Sequence, residues 1–146
     1  MRSLCVLAFV ASMAVPAAVS ADEVSSALVD SAVAIQASLA KDSMAGVQAN
    51  AATIEEQAVK LGPPAAKIAE AAKELKAATK IGDARTAFGK TNEAIVQYIE
   101  SQKLSLDPKV RIAVCPMVNK PWLQRDGPIQ NPYYGTEMPT CGSFKK

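Results

Sequence analysis

The chain has 146 residues, 16 Lys and Arg against 14 Asp and Glu, no His, 49% apolar side chains and 5% aromatic ones, which suits one small domain. A formal charge of +2 with the two signs interspersed offers no extended positive stripe to a phosphate backbone, so no nucleic-acid partner is expected. The lack of His removes the usual general base near neutral pH and His-ligated zinc or copper(II) sites; the chain reads as a non-enzyme.

Arg2 precedes an apolar run from Leu4 to Val15, then Pro16 and small residues lead to Val19-Ser20-Ala21, with the first acids at Asp22 and Glu23. That is the pattern of a secretory signal peptide over 1–21, its apolar centre falling short of the roughly 20 residues needed to span a bilayer. Cleavage after Ala21 is expected. It removes Cys5 and leaves a bacterial periplasmic or secreted chain with two cysteines and no membrane span.

Residues 22–102 are rich in Ala, Glu, Lys and Gln, with apolar residues three and four apart and no period-two pattern, which predicts helices. In the first, Val24, Ala27, Leu28, Ser31, Ala32, Ile35 and Leu39 share a face, with Asp30, Gln36 and Lys41 towards water. Asp42 or Ser43 is the candidate cap of a second helix with Met44, Val47, Ala51, Ile54, Ala58 and Leu61 inward, stopped by Gly62-Pro63-Pro64. A third, about 64–81, turns Ile68, Ala72 and Leu75 inward. Gly82 then reads as its C-terminal cap and Asp83 as the N-cap of a fourth helix bearing Ala84, Ala87, Phe88, Ile95, Tyr98 and Ile99. The expected fold class is all-α: an up-down-up-down four-helix bundle followed by a long ordered C-terminal loop with at most a short strand.

From Lys103 the composition changes. Six of nine prolines, the only Trp, two of three Tyr and both remaining cysteines fall in 103–146. Val110, Ile112 and Val114 alternate with Arg111 and Ala113 between Pro108 and Pro116, the one candidate strand. The remainder reads as a strap anchored to the bundle by Trp122, Leu123, Ile129, Tyr133 and Tyr134.

Four sulfurs flank this strap: Cys115 and Met117 at one end, Met138 and Cys141 at the other. Thiolate and thioether are soft donors that favour copper(I) or silver(I) without any His. Pro116 and Pro139 stiffen the backbone beside them, and Trp122 or the Tyr133-Tyr134 pair is placed to shield an ion or face it. The competing account is a Cys115–Cys141 disulfide closing a loop of about 26 residues, a structural staple worth roughly 3–4 kcal/mol by loop-closure entropy. A reversible redox pair has less support, because there is no Cys-x-x-Cys and no βαβ context.

The ordered set Cys115-Pro116-Met117, Trp122-Leu123, Ile129-Gln130-Asn131-Pro132-Tyr133-Tyr134-Gly135, Met138 and Cys141-Gly142 resembles the signature of an uncharacterised bacterial family. That domain of unknown function occurs as a stand-alone exported protein and fused to periplasmic adaptor subunits of copper and silver efflux pumps. The resemblance implies a setting in heavy-metal efflux, a copper(I) or silver(I) ion as ligand and a periplasmic efflux component as partner. It carries Cys115, Met117, Met138 and Cys141 over as metal ligands and Trp122, Asn131, Tyr133 and Gly135 as residues that shape the loop. The rival function is a non-catalytic, partner-binding helical module stapled by Cys115 and Cys141.

Overall fold

A computed structural model describes residues 23–146; the expected signal peptide and Cys5 lie outside them. Four helices come first: α1 (Ser26–Leu39), α2 (Val47–Leu61), α3 (Ala66–Ala77) and α4 (Ile81–Gln102). Consecutive helices pack as neighbours, so the short links turn the chain back each time. The inward stripes are those of the apolar spacing. Leu28, Ala32, Ile35 and Leu39 from α1, Val47, Ala51, Ile54 and Ala58 from α2, Ile68, Ala72 and Leu75 from α3, and Ala84, Phe88, Ile95 and Ile99 from α4 are all buried in one core.

The links follow the special residues. Gly62, at φ 79°, ends α2, and Pro63-Pro64 open a 3-10 turn (Pro63–Ala65) that runs into α3, where a missing N–H costs nothing. At the end of α4, Lys103 turns left-handed (φ 54°) and the Leu104 N–H returns to the Ile99 carbonyl, closing the helix in the Schellman manner. Three boundaries differ from expectation. The third helix stops at Ala77, and α4 starts at Ile81, so Gly82 and Asp83 sit in its first turn and cap nothing. Neither Asp42 nor Ser43 caps α2; Gly46 (φ 73°) occupies that position. In α1, Ala27 is exposed while Gln36 is buried.

The all-α expectation is corrected by the tail, which builds a three-stranded antiparallel sheet. Strand β1 (Val110–Cys115) lies between β2 (Lys120–Arg125) and β3 (Ser143–Phe144). The fold is therefore mixed, four helices with a sheet. The β1–β2 hairpin pairs Val110 with Arg125 through to Cys115 with Lys120, and β3 returns to pair Val114 with Ser143 and Ala113 with Phe144. The missed strand β2 does not alternate, because Trp122, Leu123 and Gln124 are buried in succession. It lies against α4 and α1, which touch each other little, so the sheet stands where a four-helix bundle has its closing helix–helix contact. Asn92, buried on the inner face of α4, accepts the Leu123 N–H at 3.2 Å and satisfies a strand donor that would otherwise be buried alone. No helix among the described residues is long and apolar enough to cross a membrane.

Candidate functional site

The two cysteines meet where β1 ends and β3 begins. Cys115 is the last residue of β1 and fully buried; Cys141 is half-buried two residues before β3. Because β1 and β3 run antiparallel with Val114 opposite Ser143, strand register brings the chain ends of the strap side by side. Both are free thiols, and they interact directly. Burial of the Cys141 thiol, reinforced by the neighbouring Cys115 and a hydrogen bond between the two side chains, raises its pKa above the ordinary thiol value.

Asn131 ties the pair together. Its Oδ1 accepts the backbone N–H of Tyr133 at 2.7 Å and of Tyr134 at 3.2 Å. Its Nδ2 donates to Cys115 Sγ at 3.3 Å and to the Cys141 carbonyl at 2.5 Å. The Asn131 N–H closes on the Pro139 carbonyl at 2.8 Å, which turns the strap back on itself so that residues 131 and 139–141 lie in one layer.

The aromatic residues form the floor. Trp122 is fully buried; its ring meets Tyr133 edge-on with centroids 6.0 Å apart, and Tyr133 in turn packs against Phe88 of α4 at 6.0 Å. The Tyr133 hydroxyl donates to the Pro121 carbonyl at 2.5 Å. Burial, then the neighbouring Cys115 and Glu93, drive its pKa far upward, so the phenol stays protonated. Gly142 is pressed on Trp122: a Cβ there would come within 2.5 Å of Trp122 Cη2 and 3.1 Å of the Val114 carbonyl.

The methionines are placed differently from the cysteines. Met138 is half-buried at the end of a 3-10 turn (Gly135–Glu137), and its carbonyl accepts the Cys141 N–H at 3.2 Å. Met117 lies in the four-residue β1–β2 turn and is 61% exposed. The structure thus brings together Cys115, Cys141 and Asn131 over Trp122 and Tyr133, sets Met138 one tight turn away, and leaves Met117 on the surface. Among the described residues no three of His, Cys, Asp and Glu converge as a metal site.

Gly135 belongs to the anchor of the strap, away from the sulfurs. At φ 53° it passes so close to the Asp42 carboxylate and the Arg85 guanidinium that a Cβ there would displace them. Asp42 accepts the Thr136 N–H and hydroxyl and pairs with Arg85 Nη2 at 2.6 Å. Arg85 also donates to the Pro132 and Leu39 carbonyls, each at 2.9 Å. The Thr136 hydroxyl, then Arg85, then the Thr136 N–H hold the Asp42 carboxyl down to about 2.

Three supporting residues escape a reading by residue type. Gln36 donates to the Gln130 carbonyl at 2.7 Å, Asn92 braces β2, and Gln124 accepts Trp122 Nε1–H at 3.0 Å and the Gln130 N–H at 3.1 Å. For Gln36 and Asn92 a signal exists: each falls four residues after and three before an inward apolar residue of its helix, a polar residue on an apolar stripe. Comparison with protein-family models, curated proteins and solved structures finds no match to this chain, so the family resemblance rests on the residues of the tail themselves.

Proposed function

We propose that this chain is a soft-metal-binding protein of the bacterial periplasm that takes one copper(I) or silver(I) ion between Cys115 and Cys141, in a setting of metal efflux or tolerance. The observation that carries the reading is the convergence of two free thiols from opposite ends of the strap, one fully buried and one half-buried, with an amide N–H aimed at the buried sulfur. Two thiolates suffice for a low-coordinate monovalent ion, and the full burial of Cys115 beside Tyr133 shelters that sulfur from water and oxidant. Met138, one turn from Cys141, is the thioether available to complete the shell; Met117, exposed beyond Cys115, is an outer donor. No bond-making catalysis is assigned.

The test is a titration of the reduced protein with copper(I) in competition with a chromophoric chelator. One equivalent binds tightly to the native chain. Cys115→Ser or Cys141→Ser abolishes this, and Met117→Ala only weakens it. Unchanged binding in the doubly substituted protein overturns the assignment.

The direct contact between the thiols also supports the second reading, a non-catalytic partner-binding module stapled by a Cys115–Cys141 disulfide. Thiol titration and metal analysis on one sample prepared without reductant separate the two: no free thiols and no metal favour the staple.

A further inference from the structure

We propose that Asn131 is the positioning residue of the sulfur pair, its carboxamide holding the two cysteine segments in register and supplying an N–H···S bond to Cys115 that persists when an ion is bound. The proposal rests on the soft-metal reading above for the bound state, and on geometry alone for the free protein.

The orientation of an Asn amide is normally ambiguous between its oxygen and nitrogen. Here it is fixed by its partners. One end faces two backbone N–H donors, from Tyr133 and Tyr134, which only an oxygen satisfies. The other end therefore presents the NH₂ group, whose two protons have two acceptors, Cys115 Sγ and the Cys141 carbonyl. Asn131 is fully buried and all of its side-chain hydrogen-bonding capacity is directed. A single planar group thus reaches the sulfur of one cysteine and the backbone of the other, so their separation is set by the amide.

The chemistry follows from charge. Two thiolates on a monovalent ion leave one net negative charge, shared by the fully buried Cys115 sulfur, and burying it is costly unless donors face it. No Lys or Arg is hydrogen-bonded to either sulfur among the contacts described; the N–H of Asn131 faces that charge directly. A donor to a thiolate gains strength as the sulfur becomes charged. It also withdraws electron density from the sulfur and so moves a thiolate-to-metal charge-transfer band to higher energy. Asn131→Asp is the informative substitution: a carboxylate still accepts from Tyr133 and Tyr134, but it removes the donor and sets oxygen against both the sulfur and the Cys141 carbonyl.

The experiment has a metal-free arm and a silver(I) arm. In reduced, metal-free protein, the side-chain NH₂ of Asn131 is expected as two separate, slowly exchanging proton resonances, of which Cys115→Ala shifts mainly the one facing sulfur. In the second arm, silver(I) moves that same resonance, and Asn131→Asp weakens silver(I) binding by about tenfold to a hundredfold with a charge-transfer band at lower energy. Circular dichroism of the variant checks its fold, and the native-protein resonances decide the matter if it fails to fold. Rapidly exchanging NH₂ protons insensitive to Cys115→Ala overturn the positioning role. A native protein that shows the protected amide but takes up no silver(I) overturns the metal reading and leaves the positioning role supported.

Discussion

Gly142 carries a constraint that its neighbours in the chain do not. Its φ of 152° and the Trp122 ring against its Cα leave no room for a methyl group. Gly142→Ala is therefore expected to cost about 2 kcal/mol or more, from overpacking together with an unfavourable backbone angle, read as a lower denaturant midpoint with unchanged slope. Because Gly142 follows Cys141, the same substitution shifts the half-buried sulfur relative to Cys115. Residue type alone picks out Cys115, Cys141 and the aromatic residues of the tail, and the structure sets the two thiols side by side. Residue type places Met117 and Met138 with them, yet the hairpin turn leaves Met117 facing solvent, a separation that spacing does not encode. Asn131 reads as an ordinary turn former, and half of it is: the contacts to Tyr133 and Tyr134 are that turn, while those to the cysteines depend on residues 10 and 16 positions away.

At the scale of elements, the helices are legible and the sheet is not. Helical stripes of period 3.6 survive in the sequence because each helix of this domain has one buried face. Strand β1 shows in the alternation of Val110, Ile112 and Val114 with Arg111 and Ala113, but its fully buried residues are Ala113 and Cys115, of the other parity, with Ile112 and Val114 half-buried. Strand β2 is covered on both faces, with Leu123 bonded to α4 and Trp122 under Gly142, so it presents a continuous buried run in which Pro121 further masks strand character. Helix boundaries slip where a residue serves the tail instead of its own helix. Asp42 is the clear case, a natural capping residue that instead receives Thr136 and Arg85. Its carboxyl is held at about 2 against an ordinary 3.8. A depressed carboxyl contributes its contact above the unfolded value and loses it as pH falls through the folded one. The clamp on residues 132–136 is accordingly intact from neutral pH down to about 4 and opens between about 4 and 2. Amide exchange at Thr136 followed through that window is expected to accelerate, and Asp42→Asn to show the faster exchange already at neutral pH. Constant protection down to pH 2 contradicts the clamp.

For the whole molecule, the informative fact is that α1 and α4 meet mainly through β2. The tail reaches both helices: Arg125 pairs with Asp30 of α1 and Lys120 with Glu93 of α4 at 2.5 Å, while Gln36 and Arg85 hold the strap between them. It is thus part of the core and not a decoration on a finished bundle: the bundle expected from residues 22–102 alone is open along one side. A chain ending at Gln102 is expected to keep much of its helical circular dichroism but lose a sharp thermal transition and dispersed methyl resonances, as packing without a closing layer does. A cooperative melt in that fragment contradicts the role given to the sheet.

The same arrangement orders events in time. During synthesis the helical segments emerge first, with α1, α2 and α3 able to zip together locally, whereas the side of α1 that faces α4 has nothing to close against until Lys120–Arg125 have left the ribosome. Pairings this distant along the chain are the slow ones, and here they include the strand that completes the interior. The interior is consequently closed only once that strand has joined the helices, and until then the helical segments stay open on one side to any factor that handles the polypeptide in an extended state.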